Sequence, residues 1–150
     1  MKSHKTVYLL WLCLLLLLLA PANVLADSPP SYYVDETKLP FQPLPGLDSE
    51  QIWGIHKGAG YRIEVPVDWN GSLVMWAHGY RESPDVELEL TVTNPPFRPW
   101  LVANGYAWAA SSYSRNNYDV AAGAKDTHAL TQLFNSKVGK PDRVYIAGYS

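Results

Sequence analysis

Arg143-Val144-Tyr145-Ile146-Ala147-Gly148-Tyr149-Ser150 is a short apolar run closing in Gly-x-Ser, and Leu73-Val74-Met75-Trp76-Ala77-His78-Gly79-Tyr80 is a second, closing in His-Gly. Both runs are apolar at successive positions, not at alternate ones. Such a pattern predicts strands covered on both faces, as in a sheet with helices on each side. Tyr106-Ala107-Trp108-Ala109-Ala110 is a third run of the same kind.

Between these runs lie two helical stretches. Arg98 to Asn104 is stopped by Gly105, a residue that readily takes the left-handed conformation at a helix end. Asp119 to Lys137 carries Val120, Ala124, Leu130, Leu133, Phe134 and Val138 near helical spacing, with Asp119 placed to cap it. Gly139-Lys140-Pro141-Asp142 then turns the chain into the last strand. Ahead of the first run, Ile52 to His56 and Tyr61 to Val65 form a hairpin about Lys57-Gly58-Ala59-Gly60. Tyr61, Ile63 and Val65 alternate there with Arg62 and Glu64, the period of a half-buried strand. Trp69-Asn70-Gly71 gives the next turn signal. A hairpin followed by strand, helix, strand, helix, strand predicts an α/β architecture: a mostly parallel sheet with flanking helices and right-handed crossovers. Ligands in such sheets bind outside the carboxyl ends of the strands. His78-Gly79-Tyr80, the polar and aromatic loop Ser111 to Tyr118, and Ser150 all fall at that edge. The segment Pro84 to Pro96 alternates Val86, Leu88, Leu90 and Val92 with polar residues. It reads either as an added strand or as a loop with its apolar side on the core.

The amino terminus has a different character. Lys2, His4 and Lys5 precede an apolar run from Val7 to Ala20 that includes six consecutive leucines, Leu14 to Leu19. Small residues follow at cleavage spacing, either Ala20-Pro21-Ala22 or Val24-Leu25-Ala26. Residues 1–26 thus have the layout of a secretory signal peptide, which predicts a secreted, periplasmic or extracellular protein with no membrane attachment after cleavage. The run is short for a spanning helix, which needs about 20 residues. Residues 27–50 are a proline-rich extended lead-in, and 51–150 hold the domain. Cys13 leaves with the signal, so no disulfide forms within the remainder. Loss of Lys2 and Lys5 leaves ten basic against fourteen acidic residues, a net −4. A mildly acidic chain has no electrostatic footprint for nucleic acid. The sequence carries no zinc-type Cys/His spacing and no phosphate-cradling glycine loop, so neither metal nor cofactor is expected.

A buried strand ending in Gly-x-Ser, preceded by a strand ending in His-Gly, resembles the front half of an α/β-hydrolase. The resemblance covers roughly residues 52–150. It implies that Ser150 is the catalytic nucleophile, set on a tight strand-to-helix turn. Tyr80, through its backbone N–H, and Gly79, whose lack of a side chain admits close approach, would form the oxyanion hole. His78 would support that loop and not act as the base, because in this family the acid and the histidine follow the serine in chain order. On that reading the chain is the front half of a larger enzyme, lacks the acid and histidine of the triad, and is inactive alone. Tyr113 and Tyr118, in the loop facing the site, are the candidates for substrate contact. The implied reaction is cleavage of a small-molecule or polymeric carboxylic ester through an acyl-enzyme. The alternatives are a secreted serine peptidase resembling prolyl oligopeptidases, or a non-catalytic secreted binding protein on the same scaffold. Two features depart from the family: the elbow ends at its serine, and the loop after Tyr80 is long and acidic.

Other polar residues read as structural. His128 sits in mid-helix and His56 near a turn. Asp119 caps a helix, Asp126 lies on a solvated helix face, and Asp142 belongs to a turn; all three precede the serine.

Overall fold

The computed structural model describes residues 31–80 and 88–149. The expected signal peptide (1–26), residues 81–87 of the expected acidic loop after Tyr80, and Ser150 therefore lie outside the described residues. Five strands form one sheet: β1 (Ser49–His56), β2 (Ala59–Pro66), β3 (Ser72–Ala77), β4 (Ala107–Ser111) and β5 (Arg143–Gly148), in the order β1-β2-β4-β3-β5. Two α-helices complete the described residues, α1 (Arg98–Ala103) and α2 (Val120–Lys137), with a single 3-10 turn at Glu36–Lys38.

Local chemistry explains most of these elements. β1 and β2 are joined by two residues, Lys57 and Gly58, both at positive φ (51° and 83°). That is the twist a two-residue hairpin requires. Asp119 caps α2 by accepting the Ala122 N–H at 2.9 Å. Gly105 follows α1 at φ 74°, and a Cβ there would lie 2.8 Å from the Asp68 carbonyl oxygen, so conformation and space both require glycine.

The sheet corrects the expected fold class. β3 pairs in parallel with β4 and with β5, but β1 with β2 and β2 with β4 are antiparallel. The sheet is therefore mixed and not mostly parallel, and with only two helices among the described residues it departs from an α/β-hydrolase sheet. The physical reason is that the hairpin does not stand apart: β2 docks its second edge on β4, Tyr61 opposite Ser111 through Glu64 opposite Trp108. Hydrophobic periodicity reports burial of a strand and not the direction of its neighbour.

Two cores lie on opposite faces. On one, Tyr61, Ile63, Leu73, Met75, Ala107 and Ala109 pack against Leu130 and Phe134 of α2. On the other, Val74, Trp76, Trp108 and Ala110 pack against Leu101 and Val102 of α1 and against the lead-in, through Leu39, Phe41, Leu44 and Leu47. The proline-rich lead-in, expected to be extended, includes the 3-10 turn Glu36–Lys38 and forms a wall of this core. Of the segment Pro84 to Pro96, the described residues 88–94 form a loop with only an isolated bridge (Tyr33 with Glu89), and Leu90 and Val92 turn inward.

β2 is not half-buried. Glu64 is fully enclosed beneath the lead-in and α1. Its carboxylate accepts from Arg98 Nε (2.6 Å) and Nη2 (2.9 Å), Trp108 Nε1 (2.6 Å) and Ser49 Oγ (2.7 Å). Burial alone would raise this carboxyl, but the donors Arg98, Ser49 and Trp108 outweigh it and hold the group below its ordinary value. Arg98 also donates to the Gln42 carbonyl (2.6 Å) and lies over the Phe41 ring, so one ion pair ties hairpin, helix and lead-in together.

Candidate functional site

β3 and β5 are adjacent and in parallel register, Ser72 with Arg143 through Ala77 with Gly148. The two motifs therefore leave the sheet side by side at its carboxyl edge. Gly148 is required by this closeness, since a Cβ there would collide with the carbonyl oxygen of Ala77. Tyr149, which precedes Ser150 in the chain, packs its ring on Trp76 with centroids 5.5 Å apart.

The His78–Tyr80 turn is braced by the loop after β4. His78 faces the Gly79 carbonyl through Nδ1 (2.9 Å) and the Ser112 carbonyl through Nε2 (3.2 Å). Both ring nitrogens are engaged by acceptors, and a neutral imidazole can donate to only one of them. Such a ring is a strut in the turn. Tyr113 stacks on it at 4.1 Å with 29° between planes, and its hydroxyl donates to the His78 carbonyl at 3.3 Å.

The loop carrying Tyr113 is itself held. Tyr113 and Asn117 sit at positive φ, 59° and 68°, which is uncommon outside glycine and costs energy that surrounding contacts must supply. Asp126 supplies one of them. It is buried on α2 and accepts the Ser114 N–H at 2.6 Å. The expected solvated position for Asp126 is thereby corrected, whereas Asp119 caps as expected.

Next to the turn opens a pocket of about 560 Å³. Five of the residues expected at the site line it: His78, Gly79, Tyr80, Tyr113 and Tyr118. Ser150 lies outside the described residues. The far wall was not legible in the sequence. Val120, Gly123, Ala124, Thr127, His128 and Thr131 present one face of α2 to the pocket, while Asp126, Ala129, Leu130 and Phe134 present the other to the core. Val120 and Ala124 thus face the pocket and not the core, and His128 belongs to its lining. The spacing of 124, 127, 128 and 131 was the available signal, since residues three and four apart share a helix face. Ile146 of β5 closes the pocket on the sheet side.

Among the described residues no group of three or more His, Cys, Asp or Glu could hold a metal ion, and no helix is long and apolar enough to cross a membrane. Comparison with models of protein families, with curated proteins and with solved structures finds no match.

Proposed function

We propose that the protein is a secreted serine hydrolase that cleaves carboxylic esters. The observation that carries this reading is the parallel register of β3 and β5, which brings the His78-Gly79-Tyr80 turn and the strand leading to Ser150 to one sheet edge beside a pocket. A serine nucleophile needs a base to take its proton and nearby N–H groups to receive the charge that develops on the carbonyl oxygen. Tyr80 and Gly79 are the residues proposed to offer that second element, with His78 and Tyr113 fixing the turn.

The reaction then runs in two balanced steps. The Ser150 oxygen bonds to the acyl carbon, its proton passes to the leaving alcohol through a histidine base, a role assigned to none of the described residues, and the ester C–O bond breaks. Water, deprotonated by the same base, adds to the acyl-enzyme, releasing the carboxylic acid and restoring the serine. His78 is not assigned as that base, because both its ring nitrogens are engaged by carbonyl oxygens.

The test is ester turnover by the natural secreted protein and by Ser150→Ala, with thermal melting as a check on folding. Turnover in the first and a loss of at least about a thousandfold in the second is expected. Turnover that persists in a folded Ser150→Ala protein overturns the proposal. Turnover of peptides but not esters would favour the peptidase reading.

A further inference from the structure

We propose that two copies of this chain pair antiparallel along β1, about a two-fold axis at Trp53, and so join their sheets into one. The inference does not rest on the hydrolase reading.

The first support is a row of backbone groups without partners. β1 stands at the end of the sheet, with β2 on one side only. The turn decides which of its residues bond to β2. His56 and Ala59 flank the two-residue loop and make its hydrogen-bonded pair, and alternation then gives the inward bonds to Gly54, Ile52 and Glu50. The bond from the Val67 N–H to the Asp48 carbonyl (3.0 Å) continues that even-numbered series. The N–H and C=O groups of Gln51, Trp53 and Ile55 therefore point away from the sheet, and among the described residues nothing pairs with them.

The second support is that this edge lacks the usual protections. Sheet proteins that stay monomeric blunt an edge with proline, lysine or a bulge. Ser49–His56 holds no proline or lysine and pairs with β2 without a bulge. It presents instead Trp53 and Ile55, 42% and 45% exposed, along the row of unpaired groups.

The third support is that the edge matches itself, as a two-fold interface requires. With the axis at Trp53, Gln51 meets Ile55 of the second copy and Trp53 meets Trp53, so every outward N–H finds a C=O. An axis at Ile52 would set Ile55 against Ser49, whose carbonyl already accepts from Gln51 Nε2 (2.8 Å), and one at Gly54 would set Gln51 against Lys57 of the turn. The side chains agree with the axis at Trp53. Ile52 falls opposite Gly54, and Glu50 opposite His56, an acid against a base. Glu50 and His56 have no other hydrogen bond or ion pair among the described residues. The two Trp53 rings come side by side on the lead-in face, where Phe41 meets Trp53 edge-on at 6.3 Å; aromatic cross-strand pairs stabilise a sheet. β2 and β4 stand between β1 and β3, so the joined sheet leaves both His78–Tyr80 turns open.

The experiment is sedimentation equilibrium of the natural protein over a concentration series, with amide exchange followed on residues 49–56. A dimer is expected. The amides of Gln51, Trp53 and Ile55 should slow as concentration rises, while those of Ile52 and Gly54, bonded within the hairpin, should not change. Trp53→Lys sets like charges together at the axis and should weaken the dimer at least about tenfold with the melting temperature preserved. Ile55→Lys serves as the second variant. Glu50→Lys should weaken the dimer, and Glu50→Lys with His56→Glu should restore it. Ile146→Lys, at the other edge of the sheet, should leave it intact. A monomer at every concentration overturns the proposal, as does a dimer that survives in folded Trp53→Lys or Ile55→Lys, or one lost in Ile146→Lys. Failure of the charge exchange to restore the dimer overturns the axis at Trp53.

Discussion

β2 and β5 are built from comparable residues, aliphatic and aromatic with one or two charges, yet seven of the eight residues of β2 are buried and none of the six of β5 is. The difference lies in what surrounds them. β2 has a strand on each edge, the lead-in and α1 on one face, and α2 on the other. Among the described residues β5 has only β3 beside it, and Val144, Tyr145 and Ile146 stay 46%, 44% and 71% exposed. Apolar strand composition thus states what a strand can bury; the neighbours decide whether it does. At one end of the sheet this coverage allows a carboxylate to be enclosed, and at the other it leaves a motif and a pocket open to solvent.

The contrast breaks most sharply at Glu64. Glu64→Ala strands the Arg98 guanidinium under the lead-in, and removal of one partner of a buried pair costs about 3–5 kcal/mol. Chemical denaturation should show that loss, and a change below about 1 kcal/mol would mean that the pair is not the tie it is taken to be. The same group predicts a pH dependence. Its folded-state pKa lies below the ordinary 4.5, so its contribution is complete above that value and is lost as pH falls through the folded-state pKa. Melting temperature in the wild type should fall in that acid window more steeply than in Glu64→Gln. Parallel acid profiles would contradict this assignment.

At the open end the expected effects are smaller. Gly148→Ala forces a methyl group against the Ala77 carbonyl and should cost about 1–3 kcal/mol. Unchanged stability would mean that β3 and β5 can separate at their carboxyl ends. Asp126→Ala releases the Ser114 N–H and should cost about 1.5 kcal/mol while speeding amide exchange across residues 112–118. Exchange unaltered there would remove Asp126 as the anchor of the Tyr113 loop. Ile146→Lys should leave stability within about 0.5 kcal/mol, because the side chain is already solvated. Its effect should appear in association instead. Residues 27–150 alone are expected to self-associate through the uncovered β5, and the lysine should suppress this in sedimentation measurements. Monomeric wild-type 27–150 with a sharp thermal transition would contradict that expectation.

The contrast also marks what could be read from the residues alone. The hairpin, the three apolar strands, the Asp119 cap and the Gly105 stop are local matters of turn chemistry and periodicity, and each was legible. The direction of the sheet at β2, the enclosure of Glu64 and the inward turn of Asp126 depend on partners 12 to 50 residues away. No local pattern encodes such pairings. The glutamate at an alternate strand position looked like a solvent-facing residue because its cover, the lead-in, is itself irregular. At the site, His78, Gly79, Tyr80, Tyr113 and Tyr118 were legible as residues of one sheet edge. The α2 face bearing His128 was not, because Val120 and Ala124 match the apolar period of a core while lying against the pocket.

The most direct measurement is the site of covalent labelling. The natural protein should be treated with a fluorophosphonate, which phosphonylates activated serines, and its peptides mapped by mass spectrometry. One adduct per chain, on Ser150 and absent from the Ser150→Ala protein, is the predicted result. No adduct, or an adduct on another serine, would contradict the claim that the strand leading to Ser150 and the His78-Gly79-Tyr80 turn form a catalytic edge.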